Sequence, residues 1–229
     1  MKIAKNIEML EIGAEFGVMY PTLLWDDHHL VLIDAGDANQ IESVKAAISK
    51  AGFSAEQLTT VILTHQDLDH IGGVPNLQAI APSVKILAHE AEAPYMDGRQ
   101  TPARLAAMEA GYANLSEERK REYNHLKAVW ANLKIHIDQT LSDKEVLPIC
   151  GGIEAVHTPG HMPGHICLYL RESRVMVGGD ALNIENGKLV GPNPGFTQDI
   201  VLGNQSLEKV KSYDIQAVVA YHGGLLKLK

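Results

Sequence analysis

The chain has 229 residues, 45% of them hydrophobic, which suits one domain with a sizeable core. A net charge of −8 argues against a nucleic-acid surface and against an anionic membrane partner, because both need a basic patch. No segment approaches the ~18 apolar residues of a membrane span, and the N-terminus has neither an uninterrupted apolar stretch nor a small-residue cleavage site, so a cytoplasmic protein is expected.

In chain order, TLLWDDHHLVLIDAG (22–36) reads as two strands around an Asp-Asp-His-His turn, the second running from Leu30 to Ile33 and ending at Asp34 and Gly36. Ile41, Val44 and Ile48 then recur at helical spacing over 39–52, with Gly52 as the stop. TTVILTH is a β-branched strand that leads straight into LTHQDLDHIGG (63–73), and VKILAH (84–89) is the next strand. From Pro102 to Asp138 the composition turns to Ala, Leu, Glu, Lys and Arg with apolar residues at mixed three and four spacing. This predicts a helical insertion between two strand regions, spanning about 91–140, with a role as lid, pocket wall or dimer face. Strands return at IEAVHT (153–158), HICLYL (165–170), RVMVGGD (174–180) and IQAVVAYHGG (215–224), with a helix predicted over Gln205–Tyr213. Cys150 and Cys167 belong to no metal or redox motif and are expected to be ordinary buried thiols.

Eleven histidines are the compositional oddity. His28, His29, His125 and His136 have no partner at ligand spacing and read as surface or half-buried imidazoles. His65, Asp67, Asp69 and His70 crowd the loop after VILT, where a fold has no need of them. Residues 65 and 67 can point the same way in an extended segment, and 69 and 70 fall around a turn that Gly72 and Gly73 would permit. One loop can therefore feed two adjacent points in space. HTPGHMPGH, GGD and YHGG follow at later strand ends, so that His and Asp collect at one set of strand termini of a layered α/β domain.

The ordered set LIDAG, LTHQDLDHIGG, HTPGHMPGH, GGDAL and AYHGG, running from Leu32 to Gly224, resembles the metallo-β-lactamase fold hydrolases. The resemblance implies an α/β (α+β) fold: a four-layer αββα sandwich of two mixed β-sheets flanked by helices, formed by residues 1–229 as a single domain. It implies two divalent metal ions, zinc expected and Mn²⁺ or Fe²⁺ as alternatives. Residue by residue, His65 and His161 would bind the first metal, Asp69, His70 and His222 the second, and Asp180 would bridge them. A hydroxide held between the metals would be the nucleophile, with Asp69 also orienting it and shuttling its proton. Asp34 and His165 are expected to support the ligands from behind, as is usual around metal sites. His157 is expected in a similar supporting or packing role, and His89 in a local hydrogen bond.

Asp67 stands where the family pattern has its second histidine. A carboxylate is shorter than an imidazole ligating through its far nitrogen, so Asp67 either ligates with a backbone adjustment or leaves that position to water; a carboxylate beside a dication favours ligation. As a ligand it adds a negative charge, which is expected to weaken Lewis acidity and widen tolerance of harder metals.

The resemblance leaves the substrate open. The chain ends soon after His222, without the C-terminal helical domain of typical glyoxalase II proteins. Acyl-homoserine lactonases match in length and motif order, but have a tyrosine where this chain has Asn183. β-Lactamases of the fold are mostly exported, and its nucleases carry basic surfaces. The expected activity is hydrolysis of a small ester, lactone or thioester. The alternatives are a glyoxalase II-like thioesterase and a non-hydrolytic metal-binding or redox protein of the same fold. The expected partner is a small-molecule substrate, with neither nucleic acid nor membrane, and a homodimer through the insertion is the one protein contact suggested. Tyr95, Met96, Tyr112 and Trp130 are candidate pocket walls.

Overall fold

The computed structural model describes residues 1–14 and 17–228. Two mixed sheets carry the architecture. The first has seven strands, in the spatial order 2–4, 7–9, 22–25, 30–33, 60–63, 85–89 and 139–141. The second has six, in the order 146–147, 153–157, 166–170, 175–177, 217–220 and 224–227. Parallel pairing joins 30–33, 60–63, 85–89 and 139–141 in the first sheet, and 175–177 with 217–220 in the second.

The central strands read as continuous apolar runs (LVLI, TVIL, AVVA) because both of their faces are covered. Val31, Ile33 and Ile62 point between the sheets, where they meet Ile166, Leu168, Val177 and Val219. Their neighbours Leu30, Leu32, Val61 and Leu63 point the other way, onto Val44 and Ile48 of helix α1 (Ile41–Lys50), Ile71 of α2 (Leu68–Ile71) and Leu77 of α3 (Val74–Ile80). On the far side, Val156, Cys167, Met176 and Val218 are covered by Leu207 and Val210 of a C-terminal helix. The result is the expected helix, sheet, sheet, helix layering.

The insertion comprises α4 (Ala93–Met96), α5 (Ala103–Ala110) and α6 (Glu117–Asn132). Ser116 caps α6 by accepting from Arg119 N at 3.3 Å, and Glu117 and Glu118 place negative charge in its first turn. Leu105, Met108 and Tyr123 form a small core of its own, with Tyr112 packed against them. Leu133 and Ile135 tie its far end to the main core.

The C-terminal helix α7 spans Ile200–Lys211, starting earlier than Gln205 because Asp199 caps it, accepting from Leu202 N at 2.9 Å. Ile200, Val201 and Gly203 are weak helix formers, which hid that first turn from periodicity. His28, His125 and His136 are exposed and Cys167 is buried; Cys150, expected to be buried, is only half-buried, in a turn at positive φ where its N–H reaches Asp26. Among the described residues no helix is long and apolar enough to cross a membrane.

Candidate metal centre

Strands 30–33, 60–63, 175–177 and 217–220 all end at one edge of the sandwich, and they deliver Asp34, His65, Asp180 and His222 there. Carboxyl ends of parallel strands are where open α/β sheets gather their ligands. After Leu63 the chain bends through residues 64–66 to Asp67, which takes the position preceding α2 but makes no capping hydrogen bond. Asp69 and His70 ride on α2 itself. The predicted turn is present at Gly72 and Gly73, but both residues are right-handed, so it does not need glycine's left-handed freedom. Gly73 is needed instead for close approach, because a Cβ there would lie 2.2 Å from Ala35 O. His161 arrives on the loop after strand 153–157, in a turn that Gly160 makes at φ +135° with a Cβ position 2.2 Å from Gly203 N.

Two triplets form. His65, His161 and Asp180 make one, and Asp69, His70 and His222 the other, with the offered donor atoms in each within 4.8 Å of one another. The residues fit metal ions on a polar-pairing argument. At the triplets His65 Nε2, His70 Nε2 and Asp180 Oδ1 are buried, yet none has an aligned hydrogen-bond partner among the described residues. Leaving one such group unpaired costs ~1–3 kcal/mol, so three of them across two neighbouring triplets fit bound cations. Imidazole nitrogens and carboxylate oxygens are a donor set suited to zinc and its neighbours.

The groups behind the ligands set their tautomers. Asp34, at φ +62°, accepts from Thr64 N at 2.9 Å and from His70 Nδ1 at 2.8 Å. Thr64 Oγ1 donates to Asp34 Oδ2 at 2.9 Å, and His65 Nδ1 donates to Thr64 Oγ1 at 3.0 Å. Both imidazoles thus turn a free Nε2 toward the centre. Burial, then the neighbouring His65 and His161, hold His165 well below its usual range. It therefore stays neutral, with Nδ1 donating to Thr158 Oγ1 at 2.9 Å and Nε2 accepting from Asp180 N at 3.1 Å. Burial pulls His222 down, but hydrogen bonds to Asp180 and Asp69 win and raise it to about 9. Tyr221 O–H donates to Asp69 O at 2.7 Å and fixes the backbone of that residue. His157 stacks on His89 at 4.3 Å, away from both triplets, and Ala91 N donates to His89.

Three further residues shape the site without having been singled out in the sequence. Glu92 is buried and accepts from Gln66 N and Gln66 Nε2, each at 2.9 Å, and from Gly164 N at 2.7 Å. Gln66 Oε1 accepts from Ala103 N at 2.7 Å, which buckles the start of α5 to the ligand loop. Arg104 then reaches Asp67, with Nη2 2.5 Å from Oδ2. Gln66 lies between two ligands in the motif; Glu92 and Arg104 carry no local signal.

A cavity of about 590 Å³ opens over the triplets. The insertion supplies one wall through Leu105, Leu126 and Trp130, and Asn183, Asn193 and Phe196 face it. Of the four candidate wall residues, Trp130 is in place. Met96 belongs to the core under the first sheet and Tyr112 to the core of the insertion; Tyr95 does not line the cavity.

The sequence matches the Metallo-beta-lactamase superfamily over residues 17–222. The chain belongs to this superfamily. Several proteins similar to it are hydrolases by name. The probable metallo-hydrolase YflN of Bacillus subtilis is 29% identical, over 96% of this chain and 84% of its own length. The atrochrysone carboxyl ACP thioesterase of Aspergillus fumigatus is 26% identical over 86% of this chain, which spans 48% of that protein. A solved superfamily structure, TTHA1429 of Thermus thermophilus, superposes with a TM-score of 0.76 at 21% identity, covering 99% of this chain and 76% of that one, and so shares the fold. As a superfamily member the chain is a metal-dependent hydrolase, and the fold implies divalent metal ions at the His/Asp groups just described.

Proposed function

We propose that this enzyme hydrolyses a small ester, lactone or thioester at a two-metal centre, zinc being the expected metal. The observation that carries the reading is the pair of His/Asp triplets at the floor of a cavity with an apolar wall. The cavity volume is within the ~300–1,000 Å³ typical of small-molecule sites. When bound, two divalent cations would polarise the scissile carbonyl, lower the pKa of an attacking water and stabilise the departing oxygen or sulfur.

The chain's own residues do the rest. His65, His161 and Asp180 would hold one metal, Asp69, His70 and His222 the other, and Asp67 stands beside the first. Asp69 faces the cavity with its Oδ2 3.2 Å from His222 Nε2, placed to take a proton from the attacking water and pass it to the leaving group. Leu105, Leu126, Trp130 and Phe196 receive an apolar acyl or alkyl group and exclude water from it. Asn183 offers an amide to the polar end of the substrate.

Thioesters head the list of candidates because one relative is a thioesterase by name. The test is metal analysis of the purified protein together with a panel of thioester, lactone, aryl ester, phosphodiester and β-lactam substrates. Turnover confined to the carbonyl substrates and abolished by His70→Ala supports the reading. Bound metal with turnover of the phosphodiester alone, or of nothing, overturns it.

A further inference from the structure

We propose that Asp67 and Arg104 form a matched pair that takes the place of the superfamily pattern's second histidine, Asp67 supplying an oxygen ligand to the first metal and Arg104 acting as its positioning residue. The inference rests on the two-metal reading above and concerns one residue of the insertion that no ligand pattern includes.

The geometry begins with Asp67. Its Oδ2 lies 3.3 Å from His161 Nε2 and 3.6 Å from His65 Nε2, against both imidazoles of the first triplet. Although it occupies a helix-start position, where Asp side chains ordinarily cap, its carboxylate makes no cap bond and turns to the site instead. Arg104 grips the same carboxylate, with Nη2 2.5 Å from Oδ2 and Nε 3.4 Å from Oδ1. The two-pronged approach of a planar guanidinium fixes both the position and the plane of the carboxylate in a way that lysine cannot.

Arg104 is itself held in place. The residue before it donates its N–H to Gln66 Oε1, and Gln66 is anchored on Glu92. Its guanidinium lies 5.7 Å from the centroid of the Phe196 ring. Among the described residues it is the only lysine or arginine lining the cavity, against Asp67, Asp69, Asp180 and Glu122.

The charges match as well as the shapes. Exchanging a neutral imidazole for a carboxylate adds one negative charge to the first site, and Arg104 adds one positive charge in contact with it. The pair together therefore carries the same net charge as histidine, and the loss of Lewis acidity expected from Asp67 alone is offset. A cation left beside a dication without its carboxylate would repel it, and a carboxylate without its cation would be free to swing.

This predicts strong non-additivity between positions 67 and 104. Metal affinity is measured by chelator competition on the full chain for the wild type, Asp67→His, Arg104→Ala and the double variant. Cobalt(II) absorption provides a second readout, and urea unfolding checks that each variant folds. Asp67→His alone should bind the first metal more weakly by about tenfold or more, and adding Arg104→Ala should recover most of that loss. Asp67→Asn replaces Asp67→His should the latter not fold. A double variant that binds no tighter than the single 67 variant, or equal effects of Arg104→Ala in both backgrounds, would overturn the pairing while leaving the two-metal reading intact. A wild-type protein that takes up no divalent metal would overturn both.

Discussion

Glu92→Gln tests the buried hinge that ties the ligand loop to the insertion. Burial raises the Glu92 carboxyl from 4.5 to about 7, against the opposing pull of hydrogen bonds from Gln66 and Gly164. Because the folded-state pKa lies above the unfolded one, the contribution of the neutral carboxyl to stability is fully present below the unfolded value. It is lost as pH rises through about 7. A displacement of this size corresponds to roughly 3 kcal/mol, and no discount for solvent screening applies, since Glu92 is fully buried. Glutamine has nearly the same shape but cannot ionise, so its stability does not follow that curve. Between about pH 5 and about pH 8.5 the wild type should therefore lose roughly 2–3 kcal/mol relative to Glu92→Gln. The assay is urea unfolding of both metal-free proteins across that range, read as a difference so that every other titrating group cancels. Replacing one of the two acceptor oxygens by an amide shifts the whole difference by a constant and leaves the slope untouched. A wild-type minus variant difference that stays level with pH would refute the buried, elevated carboxyl and the hinge built on it.

Other expected outcomes probe the site directly. Asp34→Asn should tolerate the left-handed backbone at φ +62° but lose the charged acceptor for His70 Nδ1; metal affinity should fall ~10–100-fold by chelator competition. Gly160→Ala forces a Cβ to within 2.2 Å of a backbone nitrogen at a φ of +135°. It should cost about 2 kcal/mol or more in thermal unfolding and reduce metal content through the displaced His161. Metal binding must displace the proton that Asp180 and Asp69 stabilise on His222, raised to about 9. Affinity should accordingly climb as pH rises toward 9, and titration calorimetry in buffers of different ionisation enthalpy should register proton release. Stripping the metal should lower the unfolding midpoint reversibly, since a ligand at a hundred times its Kd adds about 2.7 kcal/mol.

Much of this protein is legible in local sequence. The runs LVLI, TVIL and AVVA declare strands covered on both faces, and the structure buries every residue in them. The residues that end those strands are local facts too, and the ordered motif resemblance is what singled out Asp34, His65, Asp180 and His222 among them. Helix α1 was readable from its apolar spacing and the glycine after it, whereas the first turn of α7 was not, because a capping aspartate rather than propensity starts it. Gly72 and Gly73 show the limit of local reasoning: they do form a turn, but what requires glycine there is the backbone of 35–38 packed against them rather than the turn itself.

By itself the sequence determined the strands and the His and Asp residues gathered at their ends, since these depend on residue type and on periodicities of two and 3.6, while the division of those residues into two sets of candidate ligands came from the motif resemblance. Only the tertiary structure decided that Asp67 meets Arg104, that Gln66 hangs on Glu92, and that the insertion closes one wall of the cavity. Those first two contacts join residues 37 and 26 positions apart. No local periodicity encodes such a pairing, because it is set by how the helical insertion packs against the sheet edge.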